Sequence, residues 1–361
     1  STSAFQTEGT SPYDGKGNSI WDEFSRKRGK IKKGHTAEQA TLFYKYFRQD
    51  VGFVKWMNLE NFRFSISWPR LLPDGWGKKN QQGLDFYDRL IDECLEKGIT
   101  PWVTLYHWDL PHALEEKGGW TNRDVVSYFL DYLQLCMSKY SDRVDRWMVL
   151  NEPTAFTALG YFLGIHAPGK KGRSNFLPSA HHAALAQAEG GRLIRSHDSK
   201  MKVGTTFSFS HVEAFKDRIK DLRASNKVDA MLNRLYLEPL LGFGYPLDEL
   251  PFLEGLDPYV FAGDMEKLAF DMDFIGVQNY SREVVAHSYL TPIVNAKQVP
   301  PKKRGKPITA MNWDVYPDSI YKVLKRLHAY ENIPPLVVTE NGAAFEDKLE
   351  ANGKVEDEKR I

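Results

Sequence analysis

Short β-rich runs recur along this chain with a helix-like stretch between successive ones, and that alternation leaves few folds open. Asn61 to Trp68 (NFRFSISW) alternates apolar and polar residues, and Ile99 to Leu105 is almost wholly apolar. Arg146–Leu150, Lys202–Phe207, Phe274–Tyr280 and Pro335–Thr339 continue in the same style, and Ser1 to Gln6 reads as the tail of a strand. Between them lie amphipathic stretches. Thr36-Ala37-Glu38-Gln39 reads as a capping box opening a helix that reaches about Met57. Leu84, Tyr87, Ile91, Cys94 and Leu95 share one face of a second helix, which stops at Gly98. Val126, Phe129, Leu133, Cys136, Met137 and Tyr140 stripe a third, and Ser179–Ser196 and Asp318–Tyr330 are helical too. A strand that reaches a parallel neighbour through a helix crosses over right-handed, so strict alternation builds a parallel sheet covered by helices. Seven such strands point to an α/β fold, a (β/α)8 TIM barrel, with the eighth strand and the start of the first missing from this sequence. The whole of 1–361 is expected to be one barrel domain, with loops at Gly9–Gly34 and Thr291–Trp313 near its mouth.

Composition removes several function classes. Charge is balanced at +1. The one basic cluster, Pro301 to Lys306, lacks interleaved aromatics and reads as a solvated loop, which argues against nucleic acid. No apolar stretch approaches the ~20 residues that cross a membrane. Cys94 and Cys136 fall among apolar neighbours and read as core thiols. His107, Asp109 and His112, or the adjacent His181 and His182, could suggest a metal site. The first spacing is weak and adjacent side chains diverge, so no metal and no cofactor is expected. A cytoplasmic location is the default, with the natural N-terminus taken as absent.

Two segments deliver chemistry. Arg146–Leu150 runs into Asn151-Glu152-Pro153, and Pro335–Val338 runs into Thr339-Glu340-Asn341-Gly342. Each places a glutamate at the C-terminal end of a buried strand, the edge where parallel α/β folds do chemistry. Paired carboxyls are the minimal equipment for glycoside hydrolysis. Nine Trp suit the same reading, because aromatic faces stack on sugar rings. Trp68, Trp102, Trp108, Trp147 and Trp313 all lie in or beside strand-end segments.

The chain resembles the family 1 glycoside hydrolases, the β-glucosidase and β-galactosidase group. The likeness rests on Phe5-Gln6-Thr7-Glu8-Gly9, Ser19-Ile20-Trp21-Asp22, Arg63 to Trp68, Leu105 to Pro111, Gly118-Gly119-Trp120, Asn151-Glu152-Pro153, Ala167-Pro168-Gly169, Asn279-Tyr280 and Thr339 to Gly342. It implies that Glu152 is the general acid/base and Glu340 the nucleophile of a retaining mechanism. Such a pair stands roughly 5–5.5 Å apart. The acid must start protonated, so its pKa has to rise from ~4.3 towards 6–7, a shift the nearby Glu340 charge would supply. The resemblance further implies that Arg63 and Tyr280 hold the nucleophile. Asn151, Gln6 and His107 would grip sugar hydroxyls, with Trp108 and Asn279 also in the sugar site and Trp313 as an aglycone platform. The expected partner is a small β-glycoside. A 6-phospho-β-glycosidase is a near alternative, against which Trp108 and Pro153 speak. A catalytically dead binding barrel is a distant one, against which both glutamates speak.

Overall fold

The computed structural model describes residues 1–10, 13–291, 293–358 and 360. Residues 11 and 12 of the first expected loop and residue 292 of the second lie outside them. The chain divides into two compact units. The first holds Ser1–Phe207 with Pro239–Gly244 and Gly255–Ile275; the second holds Ser208–Glu238, Tyr245–Glu254 and Gly276–Ile361.

Four strands organise the first unit: β1 (Asn61–Ser65), β2 (Thr100–Tyr106), β3 (Arg146–Asn151) and β4 (Lys202–Ser208). They pair in parallel in chain order, with Asn61 opposite Thr100, Val103 opposite Trp147 and Trp147 opposite Val203. These are four of the expected strands, within two residues at the start and three at the end. Their side chains are buried on both faces, as a helix-covered parallel sheet requires. The helix Gln81–Glu96 ends just before Gly98, whose φ of +67° suits a glycine. Helices Asp124–Tyr140 and Arg173–His197 pack together against the strands. Gly190 permits that approach, since a Cβ there would stand 2.7 Å from the Val149 side chain. Cys94 and Cys136 are free and buried here, and burial pushes the Cys94 thiol up to about 12.

Two expectations fail at the start of the chain. Ser1–Gln6 is not a strand tail: Ala4–Thr7 forms a helical turn, and only the Thr2 N–H reaches the Arg63 carbonyl at 2.9 Å. The helix expected from Thr36 starts at Phe43 instead. The carbonyl of Glu38 is taken by the Thr10 N–H, and the N–H groups of Thr41 and Tyr44 go to Thr7 and Glu8. Ala40 and Leu42 take left-handed φ values of +48° and +56°, which no helix tolerates. Tertiary bonds thus override a plausible capping box. A true one stands at Ser19, where the hydroxyl accepts from the Asp22 N–H and the Asp22 carboxylate takes the Ser19 N–H.

The second unit contains β5 (His211–Ala214), β7 (Arg282–His287), β8 (Ala296–Gln298) and β9 (Leu336–Asn341), together with all but the first two residues of β6 (Phe274–Asn279). β6 lies beside β9, close to the expected positions of both strands. β5, β7 and β8 form a separate three-stranded sheet, parallel between β5 and β7 and antiparallel between β7 and β8. It was not foreseen, because these strands are short and carry charges. Arg304 corrects the solvated reading of the basic cluster: its guanidinium bonds the buried Asp314 carboxylate at 2.8 Å.

Candidate active site

In the first unit the sheet brings Gln6, Arg63, His107, Trp108, Asn151 and Glu152 into play. β2 and β3 are parallel neighbours, so the residues just beyond them, His107-Trp108 and Glu152, emerge at the same edge. Arg63 sits within β1 and reaches across. Its Nε donates to Thr104 Oγ1 at 2.9 Å and its Nη2 to Asn151 Oδ1 at 2.6 Å. A guanidinium only donates, so this bond fixes which end of the Asn151 amide is oxygen. The Nδ2 end then faces His107 Nε2 at 3.0 Å. Nε2 accordingly accepts, and the ring proton is assigned to Nδ1. Burial first, and the Arg63 charge second, hold the His107 pKa well below the ordinary histidine range. The ring is therefore neutral at working pH.

Trp108 has φ +78° and directs its indole N–H to the Asn151 carbonyl at 2.8 Å. Glu152 has φ +50°, is 8% exposed, and bonds through its N–H to the Thr206 carbonyl at 2.8 Å. Pro153 opens the next, short helix. A non-glycine residue with positive φ costs of order 1 kcal/mol or more and persists where its surroundings force it. Here both such residues flank one buried asparagine. Asp109, next in the chain and 1% exposed, has its carboxyl pushed up to about 7, chiefly by burial.

A cavity of about 270 Å³ opens beside these residues, lined by Ser3, Phe5, Gln6, Trp21, His107, Trp108 and His166. Trp21 and Trp108 stack at 6.5 Å with 21° between planes, and His166 tilts against both. Trp21 and His166 had no role in the sequence reading. Their signal was position alone, within Ser19-Ile20-Trp21-Asp22 and just before Ala167-Pro168-Gly169. Gln6 is held in the wall by the residues after it in the chain. Arg70, fully buried, binds Glu8 at 2.7 Å, Asp14 at 2.9 Å and the Gly9 carbonyl at 2.9 Å. Gly9 is required there, since a Cβ would stand 2.6 Å from the Gln39 carbonyl oxygen.

Not every expected tryptophan serves a site. Trp68 and Trp147 are fully buried core residues, Trp68 stacking on Tyr132 at 5.0 Å. Trp102 packs edge-on against Phe274 at 5.2 Å. The paired histidines separate: His181 meets Asp264 at 3.0 Å and His182 meets the Trp120 carbonyl at 2.9 Å.

The second unit carries Asn279, Tyr280, Trp313 and Glu340. Glu340 stands on β9, with each carboxylate oxygen engaged. Gln278 Nε2 donates to Oε1 at 2.8 Å, and the Tyr280 hydroxyl donates to Oε2. Residues two apart on a strand share a face, which is why Gln278 and Tyr280 meet one carboxylate. Gln278 was missed, although that alternation within FIGVQNY was the available signal. Asn279 faces the other way. Expected at the sugar, it is 2% exposed, and its amide braces the turn by donating to the Phe209 and Ser281 carbonyls at 2.8 and 3.2 Å. Trp313 is 37% exposed and lies against Tyr280 at 5.6 Å. The next residue, Asp314, is clamped by Arg282 at 2.6 Å and Arg304 at 2.8 Å, which anchors the Trp313 loop.

Among the described residues no helix is long and apolar enough to cross a membrane. A family model described as Glycosyl hydrolase family 1 matches residues 1–361. The 1,4-beta-D-glucan glucohydrolase of Thermotoga neapolitana is 38% identical over 361 residues, taking in 100% of this chain and 84% of that protein. Beta-glucosidase A of Thermotoga maritima is 38% identical over 361 residues, 100% of this chain and 80% of that protein. A solved family 1 β-glucosidase from Thermotoga maritima superposes with a TM-score of 0.94 at 36% identity, covering 99% of this chain and 80% of that one. The fold class is that of these neighbours, the α/β TIM barrel.

Proposed function

This chain belongs to glycosyl hydrolase family 1, whose members are retaining glycosidases, and from that premise we propose that it hydrolyses small β-linked glucosides and galactosides with Glu340 as nucleophile and Glu152 as acid/base. Glu340 attacks the anomeric carbon as Glu152 protonates the leaving oxygen. The glycosyl ester on Glu340 then yields to a water whose proton Glu152 removes. Two inversions at one carbon return the β configuration. The observation that carries the assignment of roles is the grip on Glu340. Gln278 and Tyr280 hold both its oxygens, so the attacking atom is oriented before substrate arrives.

Arg63, Asn151 and His107 form one connected polar chain. In this reading Asn151 and the neutral His107, with Gln6 and Trp108, bind the sugar, and Trp313 receives the aglycone. Asn279 contributes indirectly, by bracing the turn that carries Tyr280. The test is proton NMR of an aryl β-glucoside during hydrolysis, run beside the galactoside and the 6-phosphoglucoside. The first sugar product should be the β-anomer, with the plain glycosides turned over faster than the phosphorylated one. An α-anomer appearing first would overturn the mechanism.

A further inference from the structure

The helix Ile219–Asp229 of the second unit presents Lys220, Arg223 and Lys227 at intervals of three and four residues, hence on one face. With Arg218 they line an open cavity of about 570 Å³, whose other wall includes His287 and Tyr289. This volume lies within the range of small-molecule sites. None of the residues proposed for catalysis lines it.

The charges there are poorly compensated. The side chains of Lys220 and Arg223 make no hydrogen bond or ion pair with any other described residue. Lys227 bonds a neutral amide oxygen, Asn295 Oδ1, at 3.1 Å. Arg218 meets Asp221 at 3.6 Å, and that carboxylate also accepts the His287 N–H at 2.8 Å. Arg143 in the first unit shows the contrast: it bonds Asp88, Asp92 and Asp142 at 2.6, 2.8 and 3.1 Å. Like charges three and four residues apart weaken a helix. A bound anion would reverse that penalty.

We propose that this cavity binds a small, multiply charged phosphorylated molecule. The Arg223 fork can take two oxygens of one phosphoryl group, while Lys220 and Lys227 add point charges on either side. Tyr289, 82% exposed and set edge-on to His287 at 4.4 Å, offers a ring face to the uncharged part of the ligand. The basic surface is confined to one short helix in a chain of net charge +1, too little for a nucleic-acid track.

Titration calorimetry of the whole chain with sodium pyrophosphate at low ionic strength tests this. Saturable one-to-one binding is expected, weakening as salt is added. The Lys220→Ser/Arg223→Ser double variant should bind at least about tenfold more weakly. Lys200→Ser, which removes an exposed lysine of the first unit, should bind as the parent does. In the unsubstituted protein, pyrophosphate should protect Lys220 and Lys227 from acetylation, read by peptide mass spectrometry. Citrate should bind several-fold more weakly. Absence of saturable binding, equal binding by the double variant, or protection only at other lysines would overturn the site. Citrate binding as tight as pyrophosphate would overturn the ligand class.

Discussion

The acid side and the nucleophile side of the proposed chemistry are built on opposite principles. Glu152 follows a buried strand: Asn151 is fully covered, and β3 is buried from its second residue to its last. Polar groups there form a chain from Arg63 through Asn151 to His107, and two residues with positive φ are locked around it. Glu340 stands on β9, where the grip is made by donors aimed at the carboxylate. Gln278 and Tyr280 supply a donor to each of its carboxylate oxygens. Glu152 sits in a buried polar frame, and Glu340 is gripped by two directed hydrogen bonds. Substitutions on the acid side should therefore cost stability as well as rate. Those on the nucleophile side should cost rate almost alone.

The largest effect expected is at Glu340. Glu340→Gly should lower turnover by about 10⁴-fold or more while leaving the melting curve nearly unchanged. Azide with an activated aryl glycoside should then restore product as the α-glycosyl azide, because the anion enters from the vacated face. A β-azide would place the nucleophile elsewhere. Next is Glu152→Ala, which should slow glycosides with poor leaving groups by roughly 10²–10⁴-fold and activated ones much less. Equal losses for both would remove Glu152 from the acid role.

Stability should answer in the first unit. Arg70→Met strips the partner from two buried carboxylates and should cost about 3–5 kcal/mol in urea unfolding. A loss under 1 kcal/mol would show that the ion cluster does not anchor the Gln6 segment.

Asp109 gives the same comparison a pH dependence. Its pKa is raised to about 7 in the folded protein, whereas an unfolded aspartate titrates near 3.9. Between those values the native state keeps a proton that the unfolded state has lost. Stability therefore falls as pH rises through this window and levels off above it. Asp109→Asn should remove that slope and gain relative to the parent on the order of a few kcal/mol by pH 8. A difference between the two proteins that is the same at pH 5 and pH 8 would refute the buried-acid account.

The smallest effect belongs to Tyr280→Phe, expected to lower kcat by about tenfold with little change in melting. A large loss of stability there would erase the contrast between the two sides.

What could be read in advance divides along similar lines. The strands carrying Arg63 and Asn151 were legible because a buried parallel strand is a short run rich in apolar residues, and Pro335–Thr339 gave the same apolar signal although β9 has no buried residue. Glu152 and Glu340 were legible because each comes after such a run inside a recognisable motif. The helix expected at Thr36 failed because its bonding groups are spent on Thr7, Glu8 and Thr10, partners some thirty residues away. Trp21 and His166 went unassigned because a cavity wall is assembled from loops that no local pattern links. The β5-β7-β8 sheet stayed hidden since its strands read as charged loop, their charges paired across strands, as Arg282 with Glu213 at 2.9 Å.

The central claim, that Glu340 bears the glycosyl group and Glu152 does not, is tested most directly by trapping. A 2-deoxy-2-fluoro-β-glucoside with an activated leaving group should inactivate the enzyme while adding one sugar, because the fluorine slows both steps and the activated leaving group restores formation of the ester but not its hydrolysis. Peptide mass spectrometry should then find the added mass on the peptide containing Thr339-Glu340-Asn341, with the Asn151-Glu152-Pro153 peptide unmodified. A label on Glu152, or inactivation with Glu340 unlabelled, would contradict the account.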